Sequence, residues 1–349
     1  HVDSFMCVCR IVTSLCNLAN GGAIHLSAQL RREYLPKVVE CHKQEIMELI
    51  KWSGSLSVVT DQSTDSQDQY VLHILFVLQG LNGEDASDSE LKAVLTDTMY
   101  LQAVNYNTVS QAIVKCLNTF GVDFNISAFI SDSATYMSKA YNRVPQGLMP
   151  NSVHLTCNAY IVVLASDIWS TILPEVDKVQ LNLITRYGKK LVDLIKWLES
   201  HEIRVHQAYN KVFDETLKGE QHSSNTGIQN QCIETFTEVA DKLTSYYDPD
   251  SRGRTSHFTQ PAHQFLEAVR VFDPLQVCTL NLDTLPLDSI PGLNRSCRTE
   301  LESYRFYAKE CNRELSLTAF WRSAKPHFPN IANLAKQYLS VVPNSVDAK

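Results

Sequence analysis

Two aspartates stand where apolar, β-branched runs turn polar: Ser55-Leu-Ser-Val-Val-Thr-Asp61-Gln-Ser-Thr-Asp65 and Ile126-Ser-Ala-Phe-Ile-Ser-Asp132-Ser-Ala-Thr-Tyr-Met137. Carboxylates at the ends of neighbouring strands can hold a hard divalent cation, Mg2+ or Mn2+, over a phosphodiester. Such an ion activates a water or a 3′-hydroxyl and stabilises the leaving oxygen. The competing reading is local, because an Asp after a strand is a common turn former or helix cap. Asp65 and Asp68 read as turn residues, with Asp65 also a candidate acid behind the first pair.

The elements that must position the two aspartates follow in a definite order. Residues 28–52 carry apolar side chains near the helical period and read as a packing arm. Leu56–Thr60 and Tyr70–Val77 read as successive strands around a polar turn, 80–89 as a loop, and Met99–Val104 as a third strand. A helix is expected over Tyr106–Phe120, started by an Asn cap and stopped by Gly121. A fourth strand, Ile126–Ser131, delivers Asp132; a helix at Tyr136–Val144, a short strand at Val153–Leu155 and an apolar helix at Asn158–Ile172 follow. Three strands, helix, strand, helix, strand, helix is the order of a ribonuclease-H-like α/β fold. Its second half implies parallel strands joined by helical crossovers, with sites at carboxyl strand ends.

Beyond residue 174 the chain reads as helical to about 248, with Leu191, Leu194, Ile195, Leu198, Val239, Leu243, Tyr246 and Tyr247 on apolar stripes. The stretch 283–294, with Pro286, Pro291 and Gly292, reads as a linker. Behind Pro329, Phe328, Ile331, Leu334, Tyr338 and Leu339 form an amphipathic stripe, which either core packing or a partner can explain.

A net charge of −7 argues against DNA binding by the whole surface, since phosphate binding draws on clustered Lys and Arg. Locally the balance shifts, from acid-rich at 53–135 to basic from 295 onward. The ten cysteines contain no Cys-x-x-Cys pair, and the lone Cys7-x-Cys9 has no downstream match, so reduced thiols are expected rather than disulfides or zinc. With no apolar run of eighteen residues and no secretory leader pattern, an intracellular, soluble protein with no membrane and no small-molecule partner is expected. The chain opens on His1, from which a fragment or incomplete gene model is expected.

The stretch from Phe320-Trp-Arg-Ser-Ala-Lys-Pro-His-Phe-Pro through Gln-Tyr338-Leu-Ser-Val-Val-Pro-Asn-Ser345 resembles the dimerisation segment of hAT-superfamily transposases. Upstream, Thr60-Asp61-Gln-Ser-Thr-Asp65, Ile130-Ser-Asp132-Ser-Ala-Thr-Tyr-Met137 and His154-Leu-Thr-Cys157-Asn-Ala-Tyr160 resemble the family's first-aspartate, second-aspartate and Cys-x-x-His blocks, in the family's order. The middle of the chain is similar to CGG-triplet-repeat-binding-protein-like hAT proteins. The resemblance implies a ribonuclease-H-like core at 53–174 behind an N-terminal arm at 1–52. A shortened all-helical insertion would follow at 175–285, and a C-terminal helical dimerisation segment at 286–349.

It implies metal ligands at Asp61 and Asp132, a third catalytic carboxylate at Glu300 with Glu302 next, and a DNA-contacting Arg186-Tyr187 pair whose ring could stack on a displaced base. It also implies a dimer surface of Phe320, Trp321, Phe328, Ile331, Leu334, Tyr338 and Leu339, DNA and self as partners, Mg2+ or Mn2+ if active, and a nuclear location. The departures are Tyr160 for the histidine, Tyr187 for the family's tryptophan, a short Asp132 to Glu300 interval, no preceding BED-type finger, and an early end at Lys349. Together they lead to the expectation of a domesticated or degenerate copy, with an active metal-dependent transposase or nuclease and a non-catalytic chromatin or transcription adaptor as alternatives.

Overall fold

The computed structural model describes residues 30–79, 91–122, 126–143, 148–166, 189, 192–198, 204–217, 237–239, 241–242, 245–247, 261–310 and 315–343. It is a mixed α/β protein with a five-stranded mixed sheet. Strands β1 (Leu56–Thr64), β2 (Tyr70–Gln79) and β3 (Leu91–Leu101) form an antiparallel meander. Strands β4 (Ile126–Ser131) and β5 (Val153–Thr156) are added parallel on the other side of β1, giving the order β3-β2-β1-β4-β5.

Helix α1 (Leu35–Trp52) follows a π-helical turn at Leu30–Tyr34, and Pro36 is accommodated in its first turn, where no backbone N–H is needed. Helix α2 (Tyr106–Phe120) has the expected limits, and both ends have a local cause. The Asn105 side chain accepts from the N–H groups of Asn107 and Thr108, Thr108 returns a hydroxyl to the Asn105 N–H, and Gly121 closes the helix in the left-handed region at φ 60°. Helix α3 (Thr135–Arg143) makes the crossover from β4 to β5, and α4 (Asn158–Ser166) follows β5.

The sheet alternation sends Val58, Leu72, Ile74, Phe76 and Phe129 to one face, where α1, α2 and α3 cover them with Ile46, Ile113, Phe120 and Met137. It sends Val59, Leu75, Val77, Ala128, Ile130 and Leu155 to the other, where the later helices cover them. Those helices include α5 (Val205–Leu217), α6 (His263–Ala268) running into a 3-10 turn at Val269–Phe272, α7 (Arg295–Glu310), α8 (Leu317–Ala324) and α9 (Pro329–Leu339). The later core is built on rings: Tyr304 packs on Trp321 at 4.9 Å and Phe320 meets Trp321 edge-on at 5.4 Å. The Trp321 indole N–H donates to the Phe272 carbonyl at 2.9 Å.

Three expectations need correction. The third strand runs over Leu91–Leu101 rather than Met99–Val104. A bulge at Thr96 shifts the register between Ile74 and Leu75 of β2, so Val94 on one side and Met99 and Leu101 on the other point to the same face. A two-residue period that changes phase midway hides the strand. Strand β1 extends past Thr60 to Thr64, because the polar residues 61–64 pair with the start of β2 above a turn closed by Asp65. Finally, the stretch read as a linker at 283–294 is packed: Leu287 and Ile290 are buried, and Gly292, at φ 80°, leaves only 3.4 Å between a would-be Cβ and Leu334. Among the described residues no helix is long and apolar enough to cross a membrane.

On the face covered by α3, His154 is buried in a stack with Tyr141 at 4.8 Å and Phe129 at 5.5 Å. Burial holds its pKa down to about 4. Its folded value therefore lies below the unfolded value, so the neutral ring's contribution is complete above about pH 6.5 and is lost as pH falls toward 4. Urea titrations at stepped pH should show about 3 kcal/mol lost across that window. The His154→Phe variant, which keeps the stack, should flatten this acid limb; an unchanged limb would assign the loss elsewhere. At the other end of the same face, Asn105→Ala should cost about 1 kcal/mol of stability in the same assay.

Candidate functional site

The parallel pairing of β1 with β4 sets the geometry of the two aspartates. Val59 is opposite Ile130, and both side chains enter the same core. Two residues further along each strand direction come Asp61 and Asp132, so alternation returns both carboxylates to that same face on adjacent chains. Asp61 is only 6 % exposed and lies within β1, opposite His73 of β2. Asp132 follows the last residue of β4, and its Oδ1 accepts from the Ala134 N–H at 3.0 Å in the turn that starts α3. His73 in turn shares a 3.1 Å hydrogen bond with Thr98, so polar side chains run in a row across β3, β2, β1 and β4.

The opposite face of the same strand ends is scaffolding. Gln62, the residue after Asp61, accepts a 3.1 Å hydrogen bond from the Tyr136 hydroxyl on the first turn of α3. Burial, then the negative charges of Asp132 and Asp61, push this phenol up to about 12, so it remains a neutral donor. The Ser131 hydroxyl donates to the Asp132 carbonyl at 3.0 Å, which leaves its oxygen to accept from the His154 ring at 3.1 Å. Thr60 Oγ1 donates across the pair to the Ile130 carbonyl at 3.4 Å. Tyr136 and His154 lay within the blocks quoted from the sequence, but neither was singled out. The position of Tyr136, at the start of the helix that follows Asp132, was the available signal.

Glu300 is engaged elsewhere. Its Oε1 accepts from the Asn330 side chain at 2.6 Å and its Oε2 from the Ile331 N–H at 2.9 Å. It thus caps the first turn of α9, whose own N-cap residue, Phe328, offers no side-chain acceptor. Among the described residues no group of three or more His, Cys, Asp or Glu gathers to hold a metal. The structure brings Asp61 and Asp132 together and does not bring Glu300 to them. Glu302 is exposed on α7. Arg186 and Tyr187 lie outside the described residues.

Phe320, Trp321, Phe328, Ile331, Tyr338 and Leu339 are all buried within their own chain, and Leu334 packs half-buried against the same core. The Tyr338 hydroxyl donates to the Asn151 and Pro291 carbonyls, joining α9 to the β5 approach and to the packed 283–294 segment. Core packing thus accounts for the apolar character of all seven side chains. Cys157 is likewise a buried core residue, whose N–H donates to the Ser131 carbonyl at 2.8 Å.

Two carboxylates on one sheet face suit a hard divalent cation in donor type, and Mg2+ is commonly held by one or two carboxylates together with water and substrate phosphates. Asp61 and Asp132 match that donor type and would be the residues to hold such an ion. Glu300, by contrast, has a structural role that stability can read: Glu300→Ala should cost about 1 kcal/mol in urea unfolding, against under about 0.5 kcal/mol for Glu302→Ala. Equal effects from the two substitutions would contradict the capping role. No protein-family model matches the chain, and no curated protein matches its sequence.

Proposed function

We propose that this chain is a domesticated or degenerate hAT-transposase-like protein, nuclear and DNA-associated. In this reading a ribonuclease-H-like core keeps a two-carboxylate cation site but no longer performs efficient strand transfer. The observation that carries the reading is the β1–β4 register, which sets Asp61 and Asp132 on one face of adjacent parallel strands. A meander of β1, β2 and β3 followed by parallel β4 and β5 supports such a core. Loss of efficient chemistry is favoured because Glu300 is committed to capping α9.

A cation bound at the pair would polarise a phosphodiester oxygen and offset its charge. Asp61 and Asp132 would bind it, and the Gln62 and Tyr136 side would fix the strand ends behind them. Self-association is also part of the proposal; six of the seven C-terminal side chains named for it are buried in their own chain, and Leu334 is half-buried. The reading expects Mn2+ to raise the melting temperature of the wild-type chain and not of Asp132→Asn, with no nicking of supercoiled DNA above the metal-free control. Mn2+-dependent nicking that disappears in Asp132→Ala would overturn it in favour of an active transposase or nuclease. DNA binding with no thermal response to Mn2+ would favour the adaptor.

A further inference from the structure

The hydrogen bond from Tyr136 to Gln62 joins the stretch of chain after Asp61 to the stretch after Asp132. Gln62 is the residue after Asp61, and alternation along β1 turns it to the face opposite the carboxylates, the face on which α3 lies. Tyr136 is the second residue of α3, just after the Asp132–Ala134 turn. The β1–β4 pairs end at Val59 and Ile130, two residues short of each aspartate. The hydrogen bond at 3.1 Å crosses just where the ladder stops.

We propose that Tyr136 and Gln62 form a clasp that positions Asp61 and Asp132 for a hard divalent cation; the inference rests on the two-carboxylate reading above. Both are positioning residues: they act through the backbone that carries the aspartates, from behind the sheet, and hold no metal themselves. Fixing two ligands in advance removes part of the ordering cost of binding, so the clasp acts on cation affinity. A partly buried hydroxyl-to-amide bond of this kind sets the scale of the effect at about fivefold in affinity.

The test is a double-mutant cycle on Mn2+ affinity, read from the free-ion EPR signal in titrations of the full chain, with circular dichroism and urea midpoints verifying that each variant is folded. Tyr136→Phe and Gln62→Ala should each weaken binding about fivefold, and the double variant should be no weaker than either. Such non-additivity in affinity is not expected of two residues that merely support the fold. Asp132→Asn should abolish binding in every background. Wild-type binding with unchanged single variants, or with losses that multiply in the double, overturns the clasp and leaves the two-carboxylate reading standing. No Mn2+ binding by the wild type overturns that reading and the clasp with it.

Discussion

The shared placement of Asp61 and Asp132 depends on the parallel pairing of β1 with β4. Strand β1 is the hinge of the sheet, antiparallel to β2 on one side and parallel to β4 on the other. A parallel neighbour cannot be reached by a tight turn, so the chain must cross over one face of the sheet, through β3 and α2, before it returns as β4. The crossover aligns the carboxyl ends of two strands whose partners, such as Val59 and Ile130, are 71 residues apart in sequence. Antiparallel pairing would have placed Asp61 and Asp132 at opposite ends of the sheet.

A division of labour between the two sheet faces follows. Toward α1, α2 and α3 lie an aromatic stack, a neutral buried histidine and a hydrogen-bonded tyrosine, all satisfied internally. Toward the later helices lie the two carboxylates and the row of polar side chains beside them. Rigid, apolar support on one side lets the other present charge at fixed places. The C-terminal helices obey the same economy: Glu300 of α7 serves α9, and Tyr338 of α9 serves the 283–294 segment.

The sequence was legible where the local signal and the tertiary use agreed. Helix α2 has both its caps in the chain itself, and β4 is an unbroken apolar run, so their limits could be read directly. Strand β3 was misplaced because a single inserted residue, Thr96, reverses its alternation. Residues 61–64 read as a turn because they are polar, yet their partners in β2 carry them as strand. Glu300 was expected as a third carboxylate, but its acceptor role is set by α9, thirty residues on, and no local pattern encodes that distance. Tyr136 and Gln62 were hidden for the same reason, since their bond spans seventy-four residues.

The bulge at Thr96 has a consequence of another kind. Strand β3 is the long outer strand of the sheet, eleven residues with β2 its one strand neighbour among the described residues, and a straight strand of that length is a ready template for stacking further chains. Here the extra residue bends the strand, the Thr96 hydroxyl takes the Ile74 carbonyl at 2.7 Å, and His42 of α1 donates to the Leu95 carbonyl at 3.2 Å. The same kink that hid the strand from a reader of the sequence interrupts the flat row of donors and acceptors that fibril growth requires, and so guards the chain against aggregation along that border.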